Sequence, residues 1–120
     1  MRYVDGFVLP VPKKNRAAYL RMARKAGKIW MEHGALQYVE SFADDVKPGK
    51  LTSFPQSVKL KADETVVFSW AVYQSRKHRD SVVAKVMADP RLADMMNAKN
   101  MPFDAKRMFW GGFKIAIDLA

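Results

Sequence analysis

The chain has no cysteine. That excludes disulfides, thiolate catalysis, iron–sulfur clusters and cysteine-based zinc sites. It has no apolar run of membrane-spanning length, so no membrane association through a helix is expected. The first residues carry Arg2 and then Asp5 without an uninterrupted apolar core, so no signal peptide is expected either. These absences together predict a cytoplasmic protein. Histidine is scarce: His33 and His78 cannot build a three-histidine zinc site, and no metal-ligand spacing accompanies them. There is no Gly-x-Ser-x-Gly elbow, and Gly49-Lys50 lacks the earlier glycine and following Ser or Thr of a phosphate loop. The expected cofactor complement is none.

Acidic residues are also few. Twelve Asp and Glu stand against 21 Lys and Arg, giving a net charge of +9. That balance favours acidic partners, or simply a soluble basic protein.

What is present is a chain of 120 residues, 49% hydrophobic, enough for one domain over residues 1–120 with a core of its own. Strand one is predicted from Tyr3 to Leu9, ended by Pro10 and Pro12. A helix follows from Lys13 to His33, with an apolar stripe through Tyr19, Met22/Ala23, Ala26 and Ile29/Trp30, stopped by Gly34. Strand two is predicted over Leu36–Asp44. An irregular stretch, Val46–Glu64, carries a short extra strand at Ser57–Lys61. Strand three covers Thr65–Ser75, helix two Arg76–Ala88, a further short helix Arg91–Ala98, and strand four Arg107–Ile117.

The order is βαββαβ. With right-handed crossovers it predicts an α+β, ferredoxin-like architecture, a four-stranded antiparallel sheet with two helices on one face. The strands do not alternate between apolar and polar residues, so both faces need cover. One face is read as Val4, Gly6, Val8, Val39, Val67, Ala71, Tyr73, Phe109, Gly111, Phe113, Ile115 and Ile117, and given to the helices. The other is read as Tyr3, Asp5, Phe7, Tyr38, Glu40, Phe42, Phe68, Trp70, Val72, Trp110, Gly112 and Lys114. Its aromatic surface predicts a homodimer packed through the sheet.

Several segments together carry a resemblance: His33-Gly34-Ala35-Leu36, Leu51-Thr52-Ser53-Phe54-Pro55, Tyr73-Gln74-Ser75-Arg76, Met87-Ala88-Asp89-Pro90-Arg91-Leu92, and Pro102-Phe103-Asp104-Ala105-Lys106-Arg107-Met108 through Gly111-Gly112-Phe113. Along nearly its whole length the chain resembles the YbaA-like family of uncharacterised small bacterial proteins. The resemblance implies a dimeric α/β barrel of two ferredoxin-like monomers. It implies no catalytic residue.

Two groups of residues are singled out. Asp5, Tyr38, Glu40, Trp70 and Trp110 combine carboxylates with aromatics, a pattern suited to a pocket for a planar ligand or to a carboxylate base. The plainer reading is interface packing, with Asp5 or Glu40 paired to Lys114 or Arg107. The second group is basic: Lys13, Lys14 and Arg16 before helix one, and Arg76, Lys77, His78 and Arg79 at the start of helix two. Reading strands one and three as central, adjacent and parallel brings these clusters together as an anion site. The plainer reading is solvated side chains, with Ser75 and Asp80 capping.

The function expected is binding of a small anionic or aromatic molecule. The alternative is a cofactor-free monooxygenase or isomerase with Asp5 or Glu40 as base. Two further readings rank lower. Trp70 followed by His78 resembles haem-degrading proteins of the wider superfamily, but Asp5 stands where they have an amide and His78 lies in a cationic run. Arg107–Ile115 echoes an RNA-binding motif on the wrong strand, and self-association would bury it, so nucleic acid is not the expected partner.

Overall fold

The computed structural model describes residues 1–96 and 101–119. Four strands, β1 (Tyr3–Pro12), β2 (Gln37–Phe42), β3 (Glu64–Tyr73) and β4 (Phe109–Lys114), form one sheet in the order β2-β3-β1-β4. The helices are α1 (Arg16–Glu32), entered through a 3-10 turn at Lys13–Asn15, the single turn α2 (Phe54–Ser57), α3 (Arg76–Met87) and α4 (Pro90–Met96). The predicted end of the last helix at Ala98 lies outside the described residues. The βαββαβ order and the antiparallel ferredoxin-like sheet are as the sequence predicts.

Some boundaries differ for physical reasons. Pro10 and Pro12 do not end β1, because β4 pairs only as far as Val8. Beyond that point β1 has a free edge, where a missing N–H costs no ladder bond. The predicted strand at Ser57–Lys61 is absent; Ser53 accepts a hydrogen bond from the Gln56 N–H and caps α2 instead. Strand four stops at Lys114, because Tyr3 opposite it begins β1; one more bond, from Ile115 N–H to Arg2 O, follows. Gly34, at φ +113°, closes α1 as expected.

The pairing register fixes the faces. Tyr3 stands opposite Tyr73 and Pro12 opposite Glu64, so β1 and β3 run antiparallel. The predicted parallel arrangement of these two strands is therefore wrong. Each strand in this order has only antiparallel neighbours.

The face assignment also needs correcting. The helix side carries the rows Gly112–Asp5–Ala71–Tyr38 and Trp110–Phe7–Ser69–Glu40, with Tyr3, Leu9 and Val67. The open side carries Phe113–Val4–Val72–Gln37, Gly111–Gly6–Trp70–Val39 and Phe109–Val8–Phe68–Ser41. The more apolar face is thus the one the helices leave bare. Val58 beyond α2 covers Val8 and Val66 at one end of it, and Phe54 meets the Phe68 ring edge-on. Phe68, Phe109 and Phe113 remain 40%, 47% and 64% exposed.

Arg107 ties the chain before β4 to the start of β3. Its guanidinium donates to both Glu64 carboxylate oxygens, at 2.8 and 2.6 Å, and its Nε donates to Asp104 at 2.9 Å. These bonds hold the buried Glu64 carboxyl below its ordinary 4.5. A lowered folded-state value means that the stabilisation is present above about pH 4.5 and is lost as pH falls through the lowered value. Arg107→Ala is expected to cost about 3 kcal/mol at pH 7, since it strands a buried carboxylate. The deficit should shrink at pH 3, where Glu64 protonates in the variant. Urea unfolding at both pH values checks this; an equal deficit at both rules out the ion pair as the cause.

Candidate functional site

The central strand supplies small residues where the helices cross the sheet. Ser69 and Ala71 of β3 lie between Phe7 and Asp5 on one side and Glu40 and Tyr38 on the other. Helices α1, α3 and α4 roof this floor with Tyr19, Met22, Ala26, Trp30, Val83, Met87 and Leu92. The space left is a cavity of about 250 Å³. Phe7, Phe103, Met108 and Trp110 complete its wall, and the exposed Met87, Met96 and Trp110 mark the side on which it opens.

Two carboxylates reach this cavity from flanking strands. By the register their Cα atoms lie roughly 12 Å apart, two strand spacings across and one side-chain row along. Their surroundings differ. Asp5 is 2% exposed and faces Arg79, whose Nε lies 3.6 Å from its Oδ1. Arg79 Nη2 also donates to the Tyr3 hydroxyl at 3.1 Å, and Trp30 Nε1 donates to the Tyr73 hydroxyl at 3.0 Å. Burial raises the Asp5 carboxyl above its ordinary value, and the Arg79 charge and the Tyr73 hydroxyl offset only part of that. Asp5 therefore has a counter-ion of its own.

Glu40 does not. It accepts from the Tyr19 hydroxyl at 2.6 Å on Oε1 and from the Tyr38 hydroxyl at 2.7 Å on Oε2. Among the described residues no cation lies within ion-pair distance of it. Burial raises its carboxyl above the ordinary value, and the two hydroxyl bonds offset only part of that. The same burial and the neighbouring carboxylate push both tyrosine hydroxyls well above their usual range, so they stay protonated donors.

Of the predicted pocket residues, Asp5, Tyr38, Glu40 and Trp110 therefore share one cavity, inside the monomer rather than between sheets. Trp70 does not belong to it. It lies on the open face, where its Nε1 donates to Gln37 Oε1 at 3.2 Å. Neither carboxylate pairs with Lys114 or Arg107, the partners expected for simple packing. Tyr19, Trp30, Ser69 and Phe103 were not singled out in the sequence. Tyr19 and Trp30 lie on the apolar stripe of α1, but nothing in that stripe marks a side chain as cavity-lining.

The basic residues do not converge. Lys13, Lys14 and Arg16 lie beyond Pro12, whereas Arg76, Lys77, His78 and Arg79 lie beyond Tyr73. Antiparallel pairing puts these ends about 30 Å apart, nine residues along the sheet. Arg79 is engaged with Asp5 and Tyr3. His78 Nδ1 accepts the Gln74 N–H at 3.0 Å and its Nε2 faces Gly34, which leaves no ring nitrogen aimed at the cavity for haem. Ser75 caps α3 by accepting the His78 N–H. Among the described residues no cluster of three His, Asp or Glu could hold a metal, and no helix is long and apolar enough to cross a membrane.

A family model described as a protein of unknown function, DUF1428, matches residues 2–105. The chain belongs to that family. It is 48% identical over 118 residues to the uncharacterized protein YbaA of Escherichia coli K12, covering 98% of this chain and 99% of that one. Among solved structures it resembles a dimeric ferredoxin-like protein from an uncultured marine organism, at TM-score 0.61 and 8% identity over 99% of this chain and 100% of that one. It also resembles Rv0793 from Mycobacterium tuberculosis, at TM-score 0.55 and 10% identity over the whole of both chains. These likenesses show the fold.

Gly27 sets the position of Tyr38. A Cβ on this buried α1 residue would lie 2.7 Å from Tyr38 Cδ1, so the ring packs directly on helix backbone. Alanine is the better helix former by about 1 kcal/mol. Gly27→Ala is nevertheless expected to lose about 1–3 kcal/mol through overpacking and to displace the Tyr38 hydroxyl from Glu40. Thermal unfolding checks the sign; a more stable variant overturns the close-packing account.

Proposed function

We propose that the cavity between sheet and helices binds a small molecule with an aromatic or otherwise apolar body, in a protein that works as a homodimer closed through its open sheet face. The observation that carries the reading is a cavity built around Glu40, a carboxylate with no cation within ion-pair distance among the described residues. About 150 Å³ is enough for an apolar cavity to hold a benzene ring, so about 250 Å³ accommodates one ring with a substituent. Aromatic walls with few polar groups are the usual make-up of such sites. The anionic ligand expected from net charge finds no support in this cavity, because none of its described lining residues is Lys, Arg or His; Arg24 and Lys28 line a separate cleft that shares Tyr38 and Glu40.

The dimer reading rests on the bare Phe68, Phe109 and Phe113, an apolar patch of the kind that marks interfaces. The three open-face rows contain no Lys or Arg, which fits an apolar partner rather than a phosphate backbone. A solved structure of similar fold is described as a dimeric ferredoxin-like protein, which supports a dimer.

A second reading is favoured by the raised carboxyls of the cavity. Burial raises both Asp5 and Glu40, which makes each a competent proton acceptor closer to neutral pH; Glu40, with no guanidinium beside it among the described residues, is the base for cofactor-free oxygenation or isomerisation.

Three measurements test these readings. Ala26→Leu fills the cavity, so it is expected to keep or raise stability while abolishing binding of small aromatic probes; binding that survives the substitution moves the ligand elsewhere. Light scattering after gel filtration is expected to give a dimer for the wild type and a monomer for Phe113→Glu; a monomeric wild type ends the dimer reading. A site-resolved NMR titration of Glu40 is expected to give a midpoint above 4.5, higher again in Tyr38→Phe, because a bond to the charged form is removed. A midpoint at or below 4.5 removes Glu40 as base.

A further inference from the structure

The charge balance of the cavity says more about its occupant. Among the described residues lining it there is no Lys, Arg or His, while Asp5 and Glu40 both reach it. Asp5 is offset by Arg79 from behind the wall. Glu40 receives one neutral hydroxyl on each oxygen, which leaves further acceptor positions open on both. A carboxylate drawn from water without a counter-ion is costly, and the cost falls when a cation arrives. The walls act in the same direction. The rings of Tyr19, Trp30, Tyr38 and Trp110 surround the space, and ring faces attract cations through their quadrupole. An anion placed there would be repelled by Glu40 in a medium of low dielectric.

We infer that the ligand of this cavity is a small organic cation, an amine carried on a ring-sized apolar body, with its ammonium group against Glu40 and its body between the aromatic walls. The inference rests on the cavity-binding reading and narrows it to one charge class. The ammonium N–H groups take the acceptor positions that Tyr19 and Tyr38 leave free, and the ring occupies the space over Ser69.

The test is a charge series on one ring: benzylamine, benzyl alcohol and benzoate, each titrated at pH 7 by calorimetry or NMR. Benzylamine is expected to bind about tenfold more tightly than benzyl alcohol, the difference between a charged and a neutral hydrogen bond, and benzoate not at all. In Glu40→Gln the preference should fall to about one. The wild type alone supplies an independent check: benzylamine affinity should rise as pH increases through the Glu40 titration, while benzyl alcohol stays flat. Equal affinities for amine and alcohol, or tighter binding of benzoate, overturn the cation and leave the cavity reading standing. Failure of all three to bind overturns both.

Discussion

Everything in this molecule depends on the pairing of β1 between β3 and β4. One register decides which side chains the helices meet. It places Asp5 beside Ala71 and Phe7 beside Ser69, and so brings small residues under the helices and polar ones to the edge of the space they leave. A slip of β1 by one residue would exchange its two faces. The helices would then meet Val4, Gly6 and Val8, and Asp5 would turn away from them. The steric fit of α1 reinforces the register, because Tyr38 reaches its place only over the bare backbone of Gly27.

The cavity reflects a conflict between packing and polarity. A purely apolar interior at this crossing would close and gain the burial energy of a filled core. Glu40 prevents that. Its two tyrosine donors satisfy the carboxylate well enough for the fold to hold, and among the described residues no cation pairs with it. Asp5 shows the contrasting solution, a counter-ion drawn in from α3. At the far end of α1, Asp89 takes a third course. His33 and Arg91 both contact it, and Arg91 bridges on to Glu32, so the charge becomes a strut between α1 and α4. Of the three carboxylates, Glu40 is the one that faces the open space without a cation within ion-pair distance among the described residues.

Much of the architecture was legible in the sequence. Element order, the α1 stripe, its Gly34 stop and the need to cover two sheet faces all follow from residue pattern. Four of the five candidate pocket residues line one cavity, because carboxylates among aromatics stand out wherever they lie. What could not be read was which face they shared. Both sides of β1 are apolar, so hydrophobicity alone cannot orient the strand, and the less polar side proved to be the bare one. The anion site failed for a different reason. It needed β1 and β3 to run parallel, and the connection between them, a helix and then a hairpin, reverses the chain once more. Arg79 looked like one cation among several, whereas in the fold it is the partner that neutralises Asp5.

Strand β4 belongs to two places at once. Trp110 forms part of the cavity wall and stacks on Phe7, while Phe109 and Phe113, one residue before and three after it, look out from the open face. Were its one side to hold a ligand and its other a second subunit, a shift of the strand by either would reach both equilibria. In a dimer closed through that face, occupancy of the cavity and self-association would each shift the other, so that apparent affinity would vary with protein concentration.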